Sequence, residues 1–101
     1  METVRSKNDI PIRLTEERWL HIVENHDDVA GYYDLVLETV EEPDYVIKGY
    51  HGALVALKEV RSGKYLAVIY REVSATDGFI ITAYFTDKIR KGKELIIWQR
   101  K

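Results

Sequence analysis

A switch in hydrophobic spacing at Pro43 limits the folds open to this chain more than any other feature. Before Pro43, apolar residues recur at intervals of three and four, which is the spacing of amphipathic helices. After it, short β-rich segments alternate with turn sequences. Helices that come first and strands that follow predict an α+β fold, in which a layer of helices covers one face of an antiparallel sheet.

Two helices are predicted in the first half of the chain. Thr15 can cap the first helix, and two glutamates follow it in the first turn, where negative charge is favoured. The apolar spacing of this helix continues to His26. A second helix is predicted over residues 31–42, and Pro43 ends it.

Five segments of the second half have the composition of strands: "DYVIKGY", "ALVALKEV", "YLAVIYREV", "DGFIITAYFT" and "LIIW". Turn sequences separate them, and the last connection is the basic segment "DKIRKGKE". We therefore predict two N-terminal helices packed on one face of a four- to five-stranded antiparallel sheet, with the other face open. The 101 residues are predicted to form a single domain, in which residues 1–10 are a loose arm or a short strand.

Composition excludes several classes of function. The chain has no cysteine, so it has no disulfide, no thiolate metal site and no cysteine nucleophile. Its longest apolar runs are far shorter than the ~20 residues that span a bilayer, and its first residues lack the apolar core of a secretory signal. These observations predict a cytoplasmic protein that has no membrane partner.

Charge is divided unequally between the two halves of the chain. Residues 1–47 hold 4 Lys/Arg and 12 Asp/Glu, a net charge of −8, whereas residues 48–101 hold 11 and 5, a net charge of +6. Such a division can direct a polyanion to one surface. Alternatively, the two halves attract each other and screen the difference, and the sequence favours neither interpretation.

The segment "DGFIITAYFT" offers two different faces. Side chains alternate along a strand, so one set of residues should pack against the helices and the other should lie on the open face. The first set is apolar, and the second carries hydroxyl groups: Phe79, Ile81, Ala83 and Phe85 in the first, and Thr82, Tyr84 and Thr86 in the second.

Cationic side chains are expected to border the open face. Arg71 and Lys58 each lie near the end of a strand, from which a long side chain can reach that face. The basic segment adds Arg90 and Lys91, which can guide a backbone of phosphates next to the open face, although such a run is more often only a solvated turn. Cations, hydroxyls and tyrosines together suit contacts with phosphates and bases.

His26 is the ionisable residue of most interest. At the end of a helix it can exchange protons near neutral pH, or it can simply complement the negative end of the helix. His21 is about 140° away around the helix, so the two histidines cannot form the i, i+4 pair of helical zinc sites. Asp27 and Asp28 adjoin His26, but nothing else converges there, and we predict no metal and no cofactor. His51 lies in a turn and is expected to be solvated.

Four segments in this order carry a resemblance to a known family: "RLTEERWLHIVENH", "ETVEEPDYVIKG", "KYLAVIYREV" and "DGFIITAYFT". Over about residues 12–98 the chain resembles the phage and bacterial branch of the barnase–EndoU–colicin–RelE-like nuclease superfamily. The resemblance implies helices packed on a curved antiparallel sheet, and metal-independent RNA cleavage on the open face. Members of the superfamily are often toxins, so it also implies an antitoxin partner.

The resemblance also assigns residues. His26 matches the helix-borne histidine of this branch, and Thr82 with Tyr84 matches its hydroxyl-bearing late strand, while Arg71 is a looser match. The predicted function is therefore a toxin-like, metal-independent endoribonuclease that cleaves free or ribosome-bound RNA by attack of the 2′-hydroxyl. His26 would be the general acid or base, Arg71 and Lys58 would stabilise the phosphorane, and the two hydroxyls would hydrogen-bond its oxygens or the leaving group.

Two other functions would use the same face. The first is a module without catalytic activity that binds RNA or a partner protein, such as an antitoxin. The second is a structural protein whose seven tyrosines close the interface of an oligomer, with a homodimer as the simplest case.

Overall fold

A computed structural model of the chain describes residues 1–89, 92 and 95–101, and it has an α+β fold. The helices are α1 (Glu16–Asn25) and α2 (Tyr33–Glu41). Seven strands form one sheet: β1 (Glu2–Arg5), β2 (Pro11–Leu14), β3 (Tyr45–Lys48), β4 (Leu54–Arg61), β5 (Lys64–Ser74), β6 (Asp77–Thr86) and β7 (Ile96–Gln99).

The sheet has the strand order β1-β2-β6-β5-β4-β3-β7. Strands β3 to β6 form the antiparallel meander that the sequence predicts. The sheet is nevertheless larger than the predicted four to five strands, and it is mixed, because β2 pairs in parallel with β6 at Arg13 and Phe79. Residues 2–5 belong to β1 rather than to a loose arm, since they pair with β2. The two strands that the prediction lacked, β1 and β2, each have four residues.

Helix α1 has the ends that the sequence predicts. The Thr15 side chain accepts a hydrogen bond of 3.1 Å from the Arg18 amide, and the His26 amide donates to the Ile22 carbonyl at 2.8 Å. A short 3₁₀ turn, Asp27–Val29, then connects α1 to α2. In the part of the chain that the structure describes, no helix is long and apolar enough to cross a membrane.

Two hydrophobic clusters lie on opposite faces of the sheet. The larger one joins the apolar sides of α1 and α2 to the inner residues of the sheet, including Val68, Tyr70 and Ile80. The smaller one consists of Ile47, Val55, Leu57, Tyr65 and Ala67, on the face away from the helices. We call this second side the open face.

Strand β6 contains a β-bulge that changes which side chains face the helices. Ile69 of β5 pairs with Thr82, but the next residue, Tyr70, pairs with Ile80, so Ile81 is an extra residue. Ile80 is therefore buried beneath the helices at 1% exposure, and Ile81 turns to the open face.

Because of the bulge, the predicted arrangement of β6 is wrong for the residues before it and right for those after it. Phe79 and Ile81 do not pack under the helices, because the extra residue reverses the alternation before it. Ala83 and Phe85, which follow the bulge, do pack with the helix-side cluster. Tyr84 and Thr86 lie on the open face, as expected.

Candidate functional site

The open face contains a cavity with a volume of about 650 Å³. Strands β3 to β6 supply its floor, and Ile89 and Leu95, two described residues of the connection between β6 and β7, close one side. The floor is entirely aliphatic, with Ile47, Val55, Leu57, Ala67 and Ile69, and Ile81 adds an aliphatic side chain to the adjoining wall. This surface is apolar enough to bind a flat or hydrophobic part of a ligand.

The rim of the cavity is polar and cationic. Arg71 and Lys88 supply positive charge, and Tyr84 supplies a hydroxyl group, whereas the Thr86 hydroxyl already bonds to the Lys88 backbone. The described residues that line the cavity include no carboxylate. A ligand that combines an apolar part with a negative charge therefore complements this surface.

The turn between β3 and β4 forms the mouth of the cavity. His51 and Gly52 both have left-handed backbone conformations, with φ of 54° and 81°. Two hydrogen bonds fix the turn: the Gly49 amide donates to the Ala53 carbonyl at 2.8 Å, and the Ala53 amide donates to the Tyr50 carbonyl at 3.0 Å. Tyr50 is held at the mouth, and its side chain remains 79% exposed.

Arg71 has no acidic partner among the described residues. The neighbouring cation on this face, Arg13, differs because it forms an ion pair with Asp77 and lies over the ring of Phe79 at 5.6 Å. A Cβ atom added to Gly52 would lie 3.2 Å from the Arg71 guanidinium, so the turn approaches this cation closely. Arg71 is thus an uncompensated positive charge at the cavity wall, available to an anion.

His26 and Tyr84 lie side by side at the edge of the open face. Their ring centroids are 5.7 Å apart, and the ring planes are inclined by 33°. Helix α1 brings His26 there because it runs along the free edge of β6, where the Arg18 guanidinium donates to the Ile81 carbonyl at 3.4 Å. Both rings are only half-buried, so a ligand can reach them.

Three predicted site residues therefore come together: His26 contacts Tyr84, and Tyr84 and Arg71 line the same cavity. Thr82 pairs with Ile69 and is half-buried, but it does not line the cavity. Arg90 and Lys91 lie outside the residues that the structure describes.

Lys58 is a correction, because it faces the helices and not the open face. It alternates in step with Leu54 and Ala56, which pair with residues of the helix-side cluster. Its ammonium group donates to the Glu42 carbonyl at 2.8 Å and lies 3.3 Å from the Glu38 carboxylate. Lys58 therefore secures the end of α2 and cannot meet a ligand in the cavity.

Several residues of this surface were not identified from the sequence. Lys48 and Tyr50 belong to the segment "KGYHG", which we interpreted only as a turn, and Arg18 lies on the first helix without a distinguishing motif. A tyrosine between two glycines in a short connection was the one available signal. Within the described part of the chain, no group of three or more His, Asp or Glu side chains is arranged to hold a metal ion.

The two surfaces of the molecule also differ in charge. The helices carry six exposed acidic side chains, and their only cation is Arg18. The charge division between the two halves of the sequence thus becomes a division between an acidic helix layer and a cationic open face.

Comparison of the chain with protein-family models, curated proteins and solved structures finds no match.

Proposed function

We propose that the protein is a metal-independent endoribonuclease whose active site is the edge of the open face. The observation that carries this proposal is the contact between His26 and Tyr84, which lines the same cavity as the uncompensated charge of Arg71. An imidazole that can act as general acid or base, a hydroxyl and a cation are the components needed to cleave a phosphodiester without a metal.

The reaction begins with attack of the RNA 2′-oxygen on the adjacent phosphorus. As that bond forms, the bond from phosphorus to the 5′-oxygen breaks, which leaves a cyclic phosphate and a free 5′-hydroxyl. The 2′-hydroxyl loses a proton and the departing 5′-oxygen gains one. His26 carries out one of these two transfers, as general base or general acid, and water carries out the other. Arg71 neutralises the additional charge of the phosphorane, while Tyr84 hydrogen-bonds its oxygens or the leaving group.

The wider setting is part of the same proposal. Thr82 is assigned a hydrogen bond to the substrate, and Arg90 and Lys91 are assigned contacts with the RNA backbone. We propose a toxin-like enzyme that acts in the cytoplasm on free or ribosome-bound RNA and is inhibited by an antitoxin protein. The carboxylate-free lining of the cavity supports a polyanionic substrate.

Incubation of the purified protein with single-stranded RNA in EDTA tests the reaction. Cleavage to fragments with cyclic phosphate and 5′-hydroxyl ends is expected, because no step uses a divalent ion. Activity that disappears in EDTA and returns with magnesium would contradict the mechanism.

Variants of His26, the C-cap of α1, and of His21, within α1, test the role of His26. His26→Ala should lower cleavage by ~10²-fold or more, the usual contribution of a general acid or base. His21→Ala is a matched control, since His21 lies on the same helix but its side chain is exposed. Circular dichroism establishes that both variants are folded, and equal losses in the two would contradict the assignment.

A second candidate function is a module that binds RNA or a partner protein on the same face without catalysis. The aliphatic floor of the cavity favours it, because such a surface contributes to binding and not to proton transfer. Tight RNA binding without cleavage under any condition would select this alternative.

A further inference from the structure

We propose that the open-face cavity holds one unpaired nucleobase of the RNA, next to the scissile phosphate. This inference rests on the proposed function, since it takes RNA as the ligand. It adds the part of the substrate that is recognised and the residues that recognise it, Tyr50 above all.

The first argument is the match between the cavity and a base. The volume of about 650 Å³ lies within the range of about 300–1,000 Å³ that is usual for small-ligand sites. A nucleobase has two apolar faces and a polar edge, and the cavity has an aliphatic floor and a polar rim. The base would lie flat on Val55 and Ile69, with its edge directed to the rim.

The second argument is the position of Tyr50. An aromatic side chain that is 79% exposed gains nothing from the folding of this domain, yet the turn that carries it is fixed by two hydrogen bonds and two left-handed residues. The ring stands at the mouth, where it can stack on a base that occupies the floor.

The third argument is the distribution of charge around the cavity. Arg71 and Tyr84 belong both to the cavity wall and to the proposed active site, so a base on the floor would leave its own phosphate on the active-site side of the cavity. Lys88 lies elsewhere on the rim, where it can contact a neighbouring phosphate.

Two properties of the substrate follow. A base that is paired in a duplex cannot enter the cavity, so the site selects single strands. The floor has no polar side chain, and the rim offers the base edge the Tyr84 hydroxyl and cations that are not specific for one base, while the Thr86 hydroxyl is engaged with the Lys88 backbone. We therefore expect all four bases to be accepted, with less than about tenfold discrimination, because stacking is tolerant of sequence.

The experiment compares Tyr50→Ala with Tyr50→Phe and with Tyr32→Ala. Tyr32 is a matched control because it is 46% exposed but contacts Phe85 on the helix side of the sheet. Tyr50→Ala should raise the KM for a short single-stranded RNA about tenfold, the loss of one stacking contact, while kcat changes little. Tyr50→Phe and Tyr32→Ala should leave the KM unchanged. An RNA with one abasic ribose at the scissile position should show the same increase with the wild-type protein.

Calorimetric titration of the His26→Ala variant with 3′-nucleoside monophosphates separates this inference from the proposed function. If adding Tyr50→Ala to this variant weakens the binding, the base site is supported even if the protein cleaves no RNA. Cleavage by the wild type that is indifferent to Tyr50→Ala and to the abasic ribose overturns the base site and leaves the nuclease intact. Binding of dodecanoate but of no nucleotide also overturns it, because the cavity would then be a site for an acyl chain.

Discussion

The β-bulge makes adjacent isoleucines of β6 respond very differently to truncation. Ile80 lies in the helix-side cluster at 1% exposure, whereas Ile81 is half-buried in the wall of an open cavity. Ile80→Ala removes buried carbon atoms and leaves a void, a change that costs about 2–5 kcal/mol. Ile81→Ala removes atoms that are already partly in contact with water, so the cost should be about 1 kcal/mol or less.

These free energies are large enough to measure by thermal or urea unfolding. For a domain of this size each kcal/mol lowers the Tm by about 4–8 °C, so a loss of about 3 kcal/mol from Ile80→Ala corresponds to about 12–24 °C. Ile81→Ala should lower the Tm by about 8 °C or less. Ile80→Val is a graded control, with an expected loss of about 0.5–1.5 kcal/mol.

Equal losses from the two alanine variants would contradict the bulge, and a larger loss from Ile81→Ala would restore the simple alternation expected from the sequence. The two variants should also separate in function. Ile81→Ala alters the wall of the cavity and should change the KM for RNA, whereas the activity of Ile80→Ala should follow its folded fraction.

Three further changes test other parts of the structure. Gly78→Ala should destabilise the fold by about 1–3 kcal/mol or more in urea unfolding, because its Cβ would lie 2.5 Å from Ile12 and 2.6 Å from the Arg71 carbonyl; an unchanged midpoint would contradict the close approach of β2 to β6. Burial raises the pKa of Tyr70, so stability should fall as the pH rises above the ordinary tyrosine value of about 10, and Tyr70→Phe should remove part of that loss. Lys58→Ala should cost about 1 kcal/mol or less and leave RNA cleavage unchanged, because its partly exposed ion pair lies on the helix side; a large fall in cleavage would return Lys58 to the site.

The parts of the fold that depend on local interactions could be predicted from the sequence. Thr15 specifies the start of α1 through a hydrogen bond within one turn, and Pro43 stops α2 because it lacks an amide proton. The meander β3–β6 is marked by its turns, because each strand pairs with the next along the chain. These signals do not require knowledge of a distant partner.

The errors arise where a distant partner decides the structure. The bulge at Ile81 is a property of the pairing between β5 and β6, and nothing in the order of residues in β6 marks it. Strand β2 joins the sheet through a parallel contact with a strand more than sixty residues away. The side of Lys58 follows from the alternation of β4, but its partner is the far end of α2.

The candidate site was predicted to a similar degree. His26, Tyr84 and Arg71 could be named because each bears a chemical group that is unusual at its position. The cavity could not, since its walls come from β3, β4, β5, β6 and the connection after β6. The role of Tyr50 becomes apparent only in the folded structure, where the turn that carries it forms the mouth of that cavity.

The separation of an acidic helix layer from a cationic open face has a practical consequence for handling the protein. A net charge of −2 suggests weak retention on an anion exchanger and none on a cation exchanger. The attraction to a charged resin, however, reaches only about one Debye length, about 10 Å at 0.1 M salt. The resin thus interacts with one side of the molecule at a time. The protein should therefore bind resins of both signs at an ionic strength of about 0.1 M, through opposite surfaces. Capture on a cationic sensor chip would attach it by the helices and leave the open face directed to the solution, the orientation required to measure what that face binds.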